Sequence, residues 1–195
     1  MSKGTLIIIS GPSGSGKDTV MKELFKLMPE LKFSISSISR PMRSGEIQGE
    51  KYNFVSRDEF LKMIENDELL EYNEYCGNFY GTPIKPVNEC IETGKEILLE
   101  VDVNGAYNVR KKCEDCFSIF IMPPSFEALK ARLQGRGTET DEVIEKRLAA
   151  AKGEMQRANE YDYIVVNDVL SEAVEDIATI IKAERMKSDR VNITL

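Results

Sequence analysis

The chain has 195 residues, with 26 Lys and Arg against 33 Asp and Glu, giving a formal charge of −7. A domain of this length buries roughly 70% of its unfolded surface, so an apolar share of 42% can build a core without disulfides. The acidic balance argues against a general nucleic-acid binder, and the absence of any histidine excludes Ser-His-Asp and Cys-His nucleophiles and imidazole-dependent zinc sites.

In chain order, Thr5 to Ser10 reads as an almost wholly apolar strand, covered on both faces as in a parallel sheet. Its apolar run Leu6 to Ile9 is too short for a membrane span or a signal-peptide core, and only Lys3 precedes it. A cytoplasmic location is therefore expected, with no nucleic-acid, membrane or obligate protein partner. Met21, Leu24, Phe25 and Met28 recur at helical spacing from Lys17, and Pro29 stops the pattern. Residues 33–82 read as a β-rich insertion with strand-like pieces around Phe33 to Ser36, Tyr52 to Val55 and Leu70 to Tyr75. Its one helix opens on a capping box of Ser56 and Glu59.

A helix from Lys85 to Thr93 leads to a strand at Glu96 to Val101, and a further buried strand follows at Phe117 to Met122. Helices are expected at Ser125 to Gln134 and Asp141 to Glu160, separated by a mobile loop from Gly135 to Thr140. A strand at Tyr163 to Val166 precedes a last helix from Ser171 to about Met186, with Ser171 as its N-cap. The alternation indicates an α/β domain with a mainly parallel sheet flanked by helices. Cys76, Cys90, Cys113 and Cys116 are expected to be reduced. Cys113 and Cys116 have the spacing of half a zinc site or a redox pair, but no second pair completes it.

Gly11-Pro-Ser-Gly-Ser-Gly-Lys17 fits the G-x-x-x-x-G-K core of a P-loop and lies between the first strand and first helix. Backbone N–H groups of such a loop, the helix N-terminus and the Lys17 ammonium together suit a nucleotide's phosphates. Asp18 stands where a Ser or Thr would help to hold Mg²⁺. The metal could then be met by Asp18, by Thr19, or mainly by phosphates and water. Arg40 and Arg43, followed by Tyr52, form a candidate second phosphate site, since two guanidiniums can fork onto a phosphate monoester. A further cluster contains Glu71, Tyr80 and Thr82.

With GPSGSGK, SISSISRPMR, GEIQGEKYNFV, EYCGNFYGT, MPPS, GRGTET and VND in order, the chain from Ser10 to Asp168 closely resembles the guanylate kinase family. The resemblance implies a P-loop NTPase-type core, a GMP-binding insertion at about 33–82 and a helical lid at about 125–157. The core would comprise about 1–32, 83–124 and 158–195. It implies transfer of the γ-phosphoryl of ATP to GMP (or dGMP), giving ADP and GDP, with Mg²⁺. Carried onto this chain, it assigns Gly11, Pro12, Ser13, Gly14, Ser15, Gly16, Lys17, Asp18 and Thr19 to ATP and places Asn167 and Asp168 near its adenine. Arg40, Arg43, Tyr52 and Tyr80 fall to the GMP phosphate, and Ser36, Glu71 and Thr82 to the guanine. Glu100 and Asp102 fall near GMP and the metal, and Arg132, Arg136 and Arg147 become clamps on the transferring phosphoryl.

A carboxylate at Glu71 can accept from guanine N1–H and N2–H₂ together, whereas adenine would present an acceptor to it. The rival class is a noncatalytic, phosphopeptide-binding module on the same fold, which would need neither the Gly11 to Lys17 loop nor Arg136. A solvated, salt-bridged helix face is the plain alternative for the arginines of 125–157.

Overall fold

The computed structural model describes residues 4–75, 77–113, 115–135, 140–188 and 190–191. At its centre lies β1 (Leu6–Ser10), whose Leu6, Ile7, Ile8 and Ile9 are all fully buried. Successive strand side chains point to opposite faces, and the core divides accordingly. Ile7 and Ile9 pack with Val20 and Leu24 of α1 (Lys17–Leu27) and Ile177 and Ile181 of α7 (Leu170–Arg185). Leu6 and Ile8 pack with Val87 and Ile91 of α3 (Ile84–Glu92) and Val103 and Ala106 of α4 (Val103–Lys112). Covering both faces is what allows four consecutive apolar residues in one strand, each worth roughly 1.5–3 kcal/mol when fully buried.

The main sheet adds β2 (Lys32–Phe33), β7 (Ile97–Glu100), β8 (Cys116–Met122) and β9 (Tyr163–Val166) to β1 in the order β2-β7-β1-β8-β9, and every pairing is parallel. This is the α/β core with a parallel sheet flanked by helices. Phe33 pairs with Leu98 in this sheet, so the strand-like stretch expected at Phe33 to Ser36 splits. Its second half becomes β3 (Ser36–Ile38) of a separate four-stranded sheet, ordered β4-β3-β6-β5 with β4 (Tyr52–Phe54), β5 (Leu69–Tyr75) and β6 (Asn78–Pro83). Against this second sheet lies α2 (Arg57–Glu65), which closes a local core of Phe60, Leu69 and Phe79. The Ser56 and Glu59 capping box is present.

An α-hairpin of α5 (Phe126–Gln134) and α6 (Asp141–Gln156) holds a further core of Leu129, Leu133, Ile144, Leu148 and Ala151. The helix expected to reach Glu160 ends at Gln156, and a 3₁₀ turn follows over Ala158–Glu160. There the Arg157 guanidinium bonds both Glu160 carboxylate oxygens at 2.9 Å, and Tyr161 turns in to meet the Phe120 ring at 5.0 Å. Ser171 is not the N-cap of α7; the helix starts at Leu170 behind Val169, with no side-chain cap bond. The expected loop from Gly135 to Thr140 has its central residues, 136–139, outside the described residues. Cys76 also lies outside them. Cys90, Cys113 and Cys116 are thiols, and Cys116 Sγ donates to the Cys113 carbonyl at 3.0 Å.

Candidate active site

The loop between β1 and α1 owes its path to glycine. Gly11 has φ +149°, and a Cβ there would stand 2.3 Å from the Ile121 carbonyl oxygen; Gly16 has φ +91°, and a Cβ would stand 2.4 Å from Asn167 Nδ2. Neither the conformation nor the space admits a side chain. The loop is also gripped from behind. Asn167 Nδ2 donates to the Ser15 carbonyl at 2.7 Å, while Arg132 donates to the same carbonyl at 3.3 Å and to the Asn167 carbonyl at 2.8 Å. Arg147 on α6 donates to Ser13 Oγ. Lys17 Nζ donates to the carbonyls of Gly11 at 2.6 Å and Pro12 at 3.2 Å, and burial lowers its pKa below the usual lysine value.

Gly11, Ser13, Gly14, Gly16, Lys17, Asp18 and Thr19 open onto a cavity of about 510 Å³. A second cavity, of about 360 Å³, lies between the insertion and the main sheet and is lined by Ser36, Glu71, Asn73 and Tyr80. Tyr52, Glu100, Val101 and Asp102 line both, so the end of β7 and the start of β4 form a common wall. In a parallel α/β sheet, strand ends are where ligands bind.

Glu71 is the buried acid of the second cavity, 8% exposed. Thr82 Oγ1, from the neighbouring strand, donates to its Oε1 at 2.7 Å. Burial pushes its carboxyl up to about 7, against the Thr82 hydrogen bond, which favours the charged form. Gly105 lets α4 approach, because a Cβ at that position would lie 3.2 Å from Glu71 Oε2. Asp102 caps α4, accepting from the N–H groups of Asn104 at 3.0 Å and Gly105 at 2.7 Å, while its other oxygen accepts from Asn73 Nδ2 at 3.4 Å. It therefore has a structural task as well as a place on both cavities.

Arg40 and Arg43 do not line either cavity. Both Arg40 Nη atoms pair with Glu46, at 2.6 and 2.5 Å, and its guanidinium lies 5.7 Å from the centre of the Tyr52 ring. Glu46 also accepts from the Arg43 backbone N–H at 2.7 Å, and Arg40 holds its carboxyl down at about 2. Asp168 is exposed, and Asn167 turns its amide to the loop. Arg136 lies outside the described residues.

Three residues were missed by sequence reasoning. Glu46, six positions after Arg40, could have been suspected from charge alone. Lys51 bonds Asp18 Oδ1 at 2.8 Å and sits 3.6 Å from Glu100 Oε2, contacts that no local spacing reveals. Glu154, two helical turns beyond Arg147, lines the first cavity beside Lys17, accepts from the Ser13 backbone N–H, and has its pKa raised by burial.

A glycine loop at one strand end and a second cavity across a common wall place the molecule among the α/β nucleotide kinases. The guanylate kinase family model matches residues 3–184. Guanylate kinases of Halalkalibacterium halodurans and Carboxydothermus hydrogenoformans are 48% and 45% identical, over 97% and 98% of this chain and 93% and 94% of theirs. The crystal structure of guanylate kinase from Anaplasma phagocytophilum matches with a TM-score of 0.79 at 36% identity, covering 97% of this chain and 90% of that one. The chain belongs to the guanylate kinase family. It is an enzyme that uses ATP to phosphorylate GMP.

Proposed function

We propose that the cavity at the glycine loop takes ATP and the cavity at Glu71 takes GMP, so that the phosphates of the two nucleotides meet at the wall of Tyr52, Glu100, Val101 and Asp102. That common wall is the observation that carries the assignment. Backbone N–H groups of residues 11–17 and the Lys17 ammonium cradle the donor phosphates. Glu71, held by Thr82, accepts from guanine N1–H and N2–H₂ beside Ser36. Tyr52 and Tyr80 reach the GMP phosphate, and Arg40 and Arg43 join them when the insertion closes. Arg147 and Arg136 neutralise charge on the transferring group, while Arg132 and Asn167 keep the loop in shape.

The acceptor is a phosphate oxygen, so no general base is needed. One P–O bond forms to GMP as the bond to the ADP leaving oxygen breaks. Catalysis then rests on positioning, charge neutralisation and exclusion of water.

Mg²⁺ fits a donor cavity whose candidate ligands are oxygens, and no group of three metal-binding side chains occurs among the described residues. The ion would be held mainly by nucleotide phosphates and water, with the Thr19 hydroxyl as a protein ligand, and would supply positive charge at those phosphates. Among the described residues no helix is long and apolar enough to cross a membrane. Phosphorylation of GMP by ATP would give the enzyme a role in purine nucleotide metabolism, with the cytoplasm as its proposed location.

The test is ADP formation from MgATP with GMP, AMP, UMP or CMP as acceptor, beside Lys17→Ala. Turnover that requires GMP and Lys17 is expected. A fully active Lys17→Ala enzyme would refute the donor-site assignment.

A further inference from the structure

We infer that Lys51 is a second lysine of the phosphoryl-transfer site, delivered by the acceptor insertion and positioned by Asp18. The inference rests on the assignment of the glycine-loop cavity to ATP. Lys51 directly precedes β4 and so belongs to the insertion, yet its side chain lines the donor cavity together with Lys17 and Arg147. Its neighbours Tyr52 and Glu100 line both cavities, which puts the ammonium at the passage between them.

The position is defined by two carboxylates, Asp18 at 2.8 Å and Glu100 at 3.6 Å. Burial alone would lower the Lys51 pKa. The hydrogen bond to Asp18 and the charges of Glu100 and Asp18 outweigh it and raise the pKa to about 12, so the group is a cation throughout the working range.

This pairing also accounts for the departure from the P-loop pattern. An acid directly after Lys17 would repel the donor's phosphates if it stood alone. Paired with Lys51 it adds no net charge, and it exchanges a hydroxyl for a holder that draws a cation toward the place where charge develops. During transfer the bond to the ADP oxygen breaks and the bond to the GMP oxygen forms. The Lys51 ammonium keeps its protons and balances negative charge on the equatorial oxygens. Because Lys51 arrives from the insertion, its placement depends on where the insertion stands, and donor and acceptor sites share one residue of their charge complement.

Lys51→Met is expected to lower kcat about a hundredfold, the low end of the cost of removing one oxyanion donor, with KM values for ATP and GMP changed less than about threefold. Lys51→Arg should recover part of the loss. Asp18→Asn should lower kcat about tenfold in the wild-type background and have no further effect in Lys51→Met, because a pair acting together is non-additive. Thermal melts of each variant separate misfolding from lost chemistry.

An unchanged kcat in a folded Lys51→Met enzyme overturns the proposal, as does an Asp18→Asn effect of equal size in both backgrounds. A raised Mg²⁺ requirement in Asp18→Asn, undiminished in the double variant, would make Asp18 a metal residue and also overturn it. Lys17→Ala run alongside separates the two levels. If it stays active the donor-site assignment fails, and if it is dead while Lys51→Met is unaffected only the Lys51 role fails.

Discussion

Replacing Glu71 with Gln tests the base-reading site and its energetics together. The displacement of its carboxyl from 4.5 to about 7 corresponds to about 3 kcal/mol of disfavour for the charged form. The side chain is 8% exposed, so little of that is screened by solvent. Between these two values the folded protein retains a proton that the unfolded chain releases, so stability falls as pH rises through that window. The penalty is absent below the unfolded value and complete above the folded one. Urea unfolding above pH 7 should therefore find Glu71→Gln more stable than wild type, by up to about 3 kcal/mol.

Function should move the other way. On the proposed assignment GMP needs the ionised form, so one unit below the folded pKa roughly nine-tenths of the carboxyls are protonated and KM for GMP should rise about tenfold. The GMP phosphate titrates in a similar range but does so equally for both enzymes, and the ratio of variant to wild type cancels it. Steady-state kinetics on both sides of about pH 7, with GMP and AMP, should show that Glu71→Gln keeps only the pH dependence of the GMP phosphate and loses the part that belongs to the Glu71 carboxyl. Guanine preference should fall on the order of 10- to 100-fold, the equivalent of a lost bidentate base contact. An identical pH slope in the two enzymes, or an unaltered preference for GMP over AMP, would refute the reasoning.

Gly16→Ala should abolish ATP binding, measured by calorimetry, because its Cβ would meet Asn167 Nδ2 at 2.4 Å and φ is +91°; a near-normal affinity would mean the loop tolerates a different path. Arg147→Ala removes a cation beside Ser13 and should lower kcat by on the order of 10³-fold with a smaller change in ATP affinity. Equal losses in both would assign it to ground-state binding.

The parallel core was legible because its strands are covered on both faces: Leu6 to Ile9, Leu98 to Leu99 and Phe117 to Ile121 are buried runs that can hardly be anything else. Two elements escaped. Asn78–Pro83 looks like a loop, with Gly77 and Gly81 and a proline at its end, and becomes a strand only because β3 and β5 flank it. The helix Val103–Lys112 contains two asparagines and a glycine, poor helix formers, and depends on the Asp102 cap and on burial of Val103, Ala106 and Val109. At the site, the glycine loop could be found from local chemistry, whereas Glu71 and Thr82 came from the family resemblance and their hydrogen bond from the pairing of β5 with β6. Lys51 could not, because its partner Asp18 is 33 residues away and the two meet only when the insertion folds back over α1. Glu154 was masked by the mixed charges of its helix.

The wall formed by Tyr52, Glu100, Val101 and Asp102 has a pharmacological consequence. If the two cavities of about 510 and 360 Å³, which share four residues, take ATP and GMP as proposed, one molecule should fill both, an adenosine and a guanosine tethered through a short run of phosphates. Once either end has docked, the other searches a small volume at an effective concentration on the order of millimolar. Such a compound would hold on far longer than either nucleotide alone, and shortening or lengthening the tether by one phosphate would measure the gap that the transferred group has to cross.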